Sequence, residues 1–187
     1  MKNYFVHKNS LCESEKIGAQ TKIWSFAHIM KDVKIGKNCN ICDGVFIESG
    51  VKIGNNVTIK NGVSVWNGVF IEDDVFLGPN CVLTNDLFPR SKVYHSENIK
   101  TYIRKGVSIG ANATIICGIT LGKYSMIGAG SVVTKSVSDF ALVVGVPANL
   151  RYFITIKGEK LKFDKNSKAK DKEGNIYVLK NNIVKLL

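Results

Sequence analysis

The stretch Ile35-Gly-Lys-Asn-Cys-Asn-Ile-Cys-Asp-Gly-Val-Phe-Ile-Glu-Ser-Gly-Val-Lys-Ile-Gly-Asn-Asn-Val-Thr-Ile59 carries an isoleucine at every sixth position. Cys39, Val45, Val51 and Val57 each follow one of them by four residues. Outward from this stretch the first slot continues through Ile29, Ile23 and Ile17 on one side, and through Val65, Ile71, Leu77 and Leu83 on the other. The second slot continues as Thr21, Ala27 and Val33, then Val63, Val69, Val75, Cys81 and Leu87. A period of six matches neither the 3.6 residues of an α-helix nor the alternation of a strand, and it signals a hexapeptide β-solenoid.

In such a solenoid both slots point inward, and three hexads make one triangular coil. Coils then stack at strand spacing, roughly 4.8 Å apart. Asp43-Gly44, Ser49-Gly50, Asn55-Asn56, Asn61-Gly62, Asn67-Gly68 and Asp73-Asp74 fall at corners, where residues tolerant of positive φ are needed. The beat breaks after Leu83 and resumes in a shifted register at Ile103, Ile109, Ile115, Leu121, Ile127 and Val133. Val107, Ala113, Ile119, Ser125, Ser131 and Val137 fill the second slot of this run. The two runs predict about six coils, on the order of 29 Å tall. The interruption, residues 84–102, reads as a loop on one face, where solenoids commonly bind ligands.

A chain of 187 residues accommodates one main domain and a small appendage. The division expected is an N-terminal cap over 1–16, the solenoid over 17–150 and a C-terminal β appendage over 151–187. No apolar run reaches membrane-spanning length, and Met1 to Ser10 has no signal-peptide core, so a cytoplasmic protein without a membrane partner is expected. Five cysteines without metal spacing suit a reduced compartment, with Cys39 and Cys81 in the core. The net charge is +11, but residues 151–187 hold ten Lys/Arg against four Asp/Glu, and these alternate with polar residues instead of flanking stacking aromatics. That distribution speaks against a nucleic-acid partner.

The hexads, with Ile127-Gly-Ala-Gly-Ser-Val-Val-Thr-Lys135 and Val143-Val-Gly-Val-Pro-Ala148, resemble the hexapeptide-repeat acyltransferases. The resemblance implies a left-handed parallel β-helix, a homotrimer and acetyl-CoA as co-substrate without a metal. Gly18 to Ile29, Glu72-Asp-Asp-Val-Phe76 and Thr84-Asn-Asp-Leu-Phe-Pro-Arg-Ser91 are similar to the nucleotide-sugar N-acetyltransferases. The implied substrate is a dTDP-linked 3-amino-3,6-dideoxyhexose used for surface glycans such as lipopolysaccharide O-antigen. A UDP-linked 3-amino-glucuronate is the near alternative.

The implied chemistry is attack of a sugar amine on a thioester carbonyl. Positioning and a backbone donor for the oxyanion carry much of it. Asn85 and Asp86, where the loop departs, are the expected groups orienting the amine. His28, outward on its hexad, is weighed as a base against lateral packing between subunits. Trp24, Glu72, Pro89, Arg90 and His95 are candidates for substrate contact, whereas His7 is expected to pack in the cap. Gly110, Ala111, Ala129, Gly130 and Pro147 leave room for a pantetheine arm, and Lys135 and Arg151 suit its phosphates. Trp66 and Phe70 are also outward and await a partner. Two rival classes fit less well. A γ-class carbonic anhydrase needs three converging histidines, and only His28 lies in a hexad. A non-catalytic solenoid would present regular outer ladders without a long insertion.

Overall fold

The structure, a computed structural model, describes residues 3–93 and 99–187. Short parallel strands stack on the faces of a prism, and no helix occurs among the described residues. The first face climbs from Phe5–Val6 through Lys22–Ile23, Asn40–Ile41, Thr58–Ile59, Phe76–Leu77, Ser108–Ile109 and Met126–Ile127 to Ala141–Val144. The second runs Leu11–Cys12, His28–Ile29, Phe46–Ile47 and Ser64–Val65, followed by Val82–Leu83, Thr114–Ile115 and Val132–Val133. The third holds Lys34–Ile35, Lys52–Ile53, Val69–Ile71, Thr101–Ile103 and Thr120–Leu121.

The stack has about seven turns, one more than the hexad count predicts. The additional coil precedes Ile17. Phe5–Val6 pairs with Lys22–Ile23, Leu11–Cys12 with His28–Ile29, and Ile17 bridges Ile35. Val6, Cys12 and Ile17 pack on the core, but the last step between them is five residues, which disguises the repeat.

First-slot residues from Ile23 to Leu121 form the axis of the core; Ile23, Ile41, Ile59, Leu77 and Ile109 lose all contact with solvent. Complete burial of such a side chain contributes roughly 1.5–3 kcal/mol. Second-slot residues are smaller because they fill the narrowing space at each corner. Leu87 departs from this rule. Its spacing assigns it an inner slot, yet it is 47% exposed, because the chain has already left the coil at Thr84.

The register shift is absorbed wholly by the loop. Ile71 pairs directly with Ile103, and Leu83 with Ile115, so every face resumes its column. All six expected corners turn through positive φ, at Gly44, Gly50, Asn56, Gly62, Gly68 and Asp74. The asparagines and aspartates also link coils: Asn38 Nδ2 donates to Asn56 Oδ1 (3.0 Å), and Asn56 Nδ2 to Asp74 Oδ1 (2.9 Å).

At the far end Asn149–Phe153 folds back antiparallel on Ala141–Val144, and a separate antiparallel sheet follows from Lys168–Lys170, Ile176–Lys180 and Ile183–Leu186. Tyr177 fastens this sheet to the solenoid. Its buried ring meets Phe140 edge-on, and its hydroxyl donates to Asp171 Oδ2 (2.9 Å) and accepts from the Ile156 amide (3.1 Å).

Candidate functional site

The loop replaces one corner of one coil, and both of its feet are tied to neighbouring coils. Leaving the second face, the Thr84 amide donates to Ile115 O (3.0 Å), and the Thr84 hydroxyl accepts from the Cys117 amide (2.9 Å). On return, the Thr101 amide donates to Gly68 O (2.9 Å), and the Thr101 hydroxyl accepts from the Gly118 amide (3.1 Å). Two consecutive amides of the next coil thus hold the two ends. Asn85 and Asp86 stand directly beside the first foot, Asn85 exposed and Asp86 half-buried. Asp86 Oδ1 accepts from the Phe88 amide (2.8 Å), a local Asx turn that fixes the carboxylate. Pro89 and Arg90 are exposed further along, with Arg90 Nη1 on the Pro89 carbonyl (3.0 Å). His95 lies outside the described residues.

Glu72 does not stand free for a ligand. Its Oε1 accepts from Arg104 Nη1 (2.7 Å) and its Oε2 from the Lys105 amide (2.9 Å), at the point where the returning chain re-enters the third face. Burial alone would raise this carboxyl, but the Arg104 guanidinium and the Lys105 amide outweigh it and leave the group below its usual range.

His28 lies on the second face, with Nε2 2.8 Å from Glu13 Oε1 and its ring edge-on to Phe46. The Phe46 and Ser64 rungs separate it from Val82–Leu83, three coil steps or roughly 14 Å below the loop. Within one chain, therefore, His28 and Asn85 do not converge. Trp24 belongs to the first face, where its ring lies tilted against Phe5 at 5.5 Å and donates to Asn40 Oδ1 (2.7 Å). His7 accepts from the Asn9 amide and faces the Ser25 hydroxyl.

The residues expected to meet the acyl donor fall into two kinds. A side chain at Gly110 would meet the Ala129 amide nitrogen at 2.5 Å, so its smallness is demanded by coil stacking. Gly130 instead faces open space, at a positive φ, beside the exposed Ala129. Ala111 and Ala129 occupy equivalent corners one coil apart, as Gly130 N on Ala111 O (2.9 Å) records. Lys135 lines a cleft of about 400 Å³ with Ser136, Ala148, Leu150 and Phe153, and exposed Pro147 and Arg151 flank the same segment. The second face is therefore bounded by the small-residue corner on one side and by the loop on the other. Among the described residues, no group of three or more His, Cys, Asp or Glu side chains is placed to hold a metal ion.

A family model described as bacterial transferase hexapeptide (six repeats) matches residues 16–49, 50–85 and 100–135, and its gap falls on the loop. The chain belongs to this family. Within the hexapeptide transferases it is 51% identical over 162 residues to a dTDP-3-amino-3,6-dideoxy-α-D-galactopyranose 3-N-acetyltransferase of Aneurinibacillus thermoaerophilus, covering 87% of this chain and 84% of that one. It also resembles the solved structure of a hexapeptide-repeat acetyltransferase from Vibrio cholerae complexed with acetyl coenzyme A. That match has 27% identity and a TM-score of 0.55, over 63% of this chain and 68% of that one. The N-acyltransferase AntD of Bacillus cereus shares the fold, at 17% identity and a TM-score of 0.51 over 83% and 86% of the two chains.

Three features of this hexapeptide transferase escaped sequence reasoning: the paired threonine feet, the use of Glu72 by Arg104, and the partner of Trp66. The Trp66 indole donates to Leu83 O (2.7 Å) and its ring lies 5.6 Å from Phe46, so it packs within the chain. Phe70 similarly stacks on Tyr102 at 5.2 Å. Each contact joins neighbouring rungs of the stack, and only an alignment of coils displays it.

Proposed function

We propose that this hexapeptide transferase moves the acetyl group of acetyl-CoA onto the 3-amino group of a dTDP-linked 3-amino-3,6-dideoxyhexose. The observation that carries the reading is the 51% identity to an enzyme of that activity across 87% of the chain. Acetyl-CoA lies along the corner of Ala111, Ala129 and Gly130, with its phosphates toward Lys135 and Arg151. The nucleotide sugar approaches from the loop side, with Arg90 as a cation for its diphosphate.

The amine attacks the thioester carbonyl, a C–N bond forms, and the C–S bond breaks to release the CoA thiolate. The proton shed by the nitrogen passes to that thiolate, so the step balances without a resident base. Asn85 and Asp86 orient the amine, and their fixed placement lowers the barrier by reducing the freedom left to lose. A backbone N–H of the adjoining coil stabilises the oxyanion. His28 serves this site by facing a neighbouring copy in a cytoplasmic homotrimer. The exposed Phe5, Trp24 and Phe76 on the first face support such an assembly, since large aromatics left in solvent call for cover.

Thiol release from acetyl-CoA, followed with a disulfide reagent, tests the reading. The expected result is rapid release with dTDP-3-amino-3,6-dideoxyhexoses and little with UDP-linked 3-amino sugars. No release with either class would overturn the enzyme assignment, and preference for the UDP series would overturn the carrier. Sedimentation equilibrium tests the trimer; a monomer at micromolar concentration would refute it.

A further inference from the structure

The second face is not one continuous ladder. Its rungs form one sheet up to Ser64–Val65 and another from Val82–Leu83 onward, with no strand pairing between the two. Elsewhere on this face the residue after each inward isoleucine or valine donates its amide to the next coil, as Met30 does to Ile47 O (3.0 Å) and Glu48 to Val65 O (2.9 Å). At the next rung the acceptor in that position, Leu83 O, is taken by the indole N–H of Trp66 (2.7 Å). A side chain has replaced a backbone rung on the residue immediately before Thr84. The chain beyond Trp66 is held as well, because Glu48 Oε2 accepts from the Asn67 amide (2.7 Å).

We propose that Trp66 is a positioning residue for acetyl transfer. Its indole fixes the Leu83 carbonyl from the coil below while the Thr84 hydroxyl holds the Cys117 amide of the coil above, and together they set the direction in which Asn85 and Asp86 leave the solenoid. The proposal rests on the reading of those two residues as the groups that orient the amine. A ladder hydrogen bond would tie Leu83 into a regular rung and align the chain for another corner. The longer reach of an indole lets the sheet part here without leaving Leu83 O unsatisfied, which is what a loop needs at its root. Phe46 backs the indole at 5.6 Å, so the donor is held in place.

Trp66→Phe keeps an aromatic ring against Phe46 and deletes only the donor. With a net hydrogen-bond contribution of the usual size, kcat falls about 2- to 12-fold. The KM for acetyl-CoA is unchanged, because the donor corner lies on the opposite edge of the face. Thr84→Val lowers kcat in the same way, and Thr84→Ser, which retains the hydroxyl, restores it. These threonine variants also carry the test if the tryptophan variant folds poorly. Because Trp66 acts through the dipeptide, adding Trp66→Phe to Asn85→Ala slows the enzyme less than Trp66→Phe does in the parent. A parental kcat in both Trp66→Phe and Thr84→Val, or losses that multiply in the double variant, would overturn the proposal while leaving the site in place. A parental rate in Asn85→Ala would remove the site assignment, and this proposal with it.

Discussion

Replacing Gly110 by alanine tests whether the small residues of the donor corner make room for a ligand or for the next coil. The Cβ would stand 2.5 Å from the Ala129 nitrogen, 2.8 Å from Ala129 Cα and 2.9 Å from the Gly128 carbonyl carbon. Relief to an ordinary 3.4 Å contact requires a local displacement of about 0.9 Å. All three obstacles are backbone, and Gly110 itself donates across the same gap to Ile127 O at 2.8 Å. Overpacking of this kind costs about 1–3 kcal/mol, and rigid neighbours put it at the upper end. Loss of glycine's freedom in the unfolded chain returns about 0.4–1 kcal/mol. The net loss is then about 2 kcal/mol, or about 4–8 °C in Tm for a chain of this size. Gly128→Ala provides the control: its nearest obstacle is Val144 Cγ1 at 2.7 Å, the end of a partly exposed side chain that can turn away. Its Tm falls by less than half as much. Differential scanning calorimetry reads both, alongside the KM for acetyl-CoA. An unchanged Tm in Gly110→Ala with a raised KM would refute the stacking argument and return Gly110 to the ligand.

Asn85→Ala lowers kcat at least tenfold, as expected for lost positioning, while sedimentation and Tm stay near the parent; an unaltered rate would refute its role. In Glu72→Gln the loss of the Arg104 contact depends on pH. The Glu72 carboxyl titrates below its ordinary 4.5, so its stabilisation is complete above that value and disappears as pH falls through the lowered one. The Tm gap between parent and variant therefore closes on acidification, and a gap independent of pH would contradict the ion-pair account. Titration with a thiol reagent at pH 8 finds one accessible thiol, the half-buried Cys12, and five after unfolding. Burial raises Cys39 and Cys42 and pushes Cys81 up to about 12, so early reaction of several thiols would refute the packing. Tyr177→Phe strands the Ile156 amide and loses the Asp171 contact, costing about 1–3 kcal/mol in urea unfolding; an unchanged midpoint would show that the hydroxyl does not anchor the appendage.

The solenoid, its corners and the place of its interruption are legible in the residues alone, because each of these is a local consequence of periodic burial. A first-slot residue must be apolar and a corner must allow positive φ wherever the coil happens to lie, so Ile41, Gly44 and Asn56 are legible one at a time. Everything that depends on which coil lies above which emerged only from the folded chain. It added the coil before Ile17, where one five-residue step broke the beat. It exposed Leu87 despite its perfect spacing, since the chain had already turned out at Thr84. It also paired Glu72 with Arg104, gave the Trp66 indole to Leu83, and set His28 three rungs from Asn85 within the chain. The physical reason is the same in each case. In a stacked coil the energetic partners are neighbours across the ladder, separated along the chain by a full turn or by a turn plus a loop. No reading of adjacent residues can weigh such pairs until the loop's length is resolved into register.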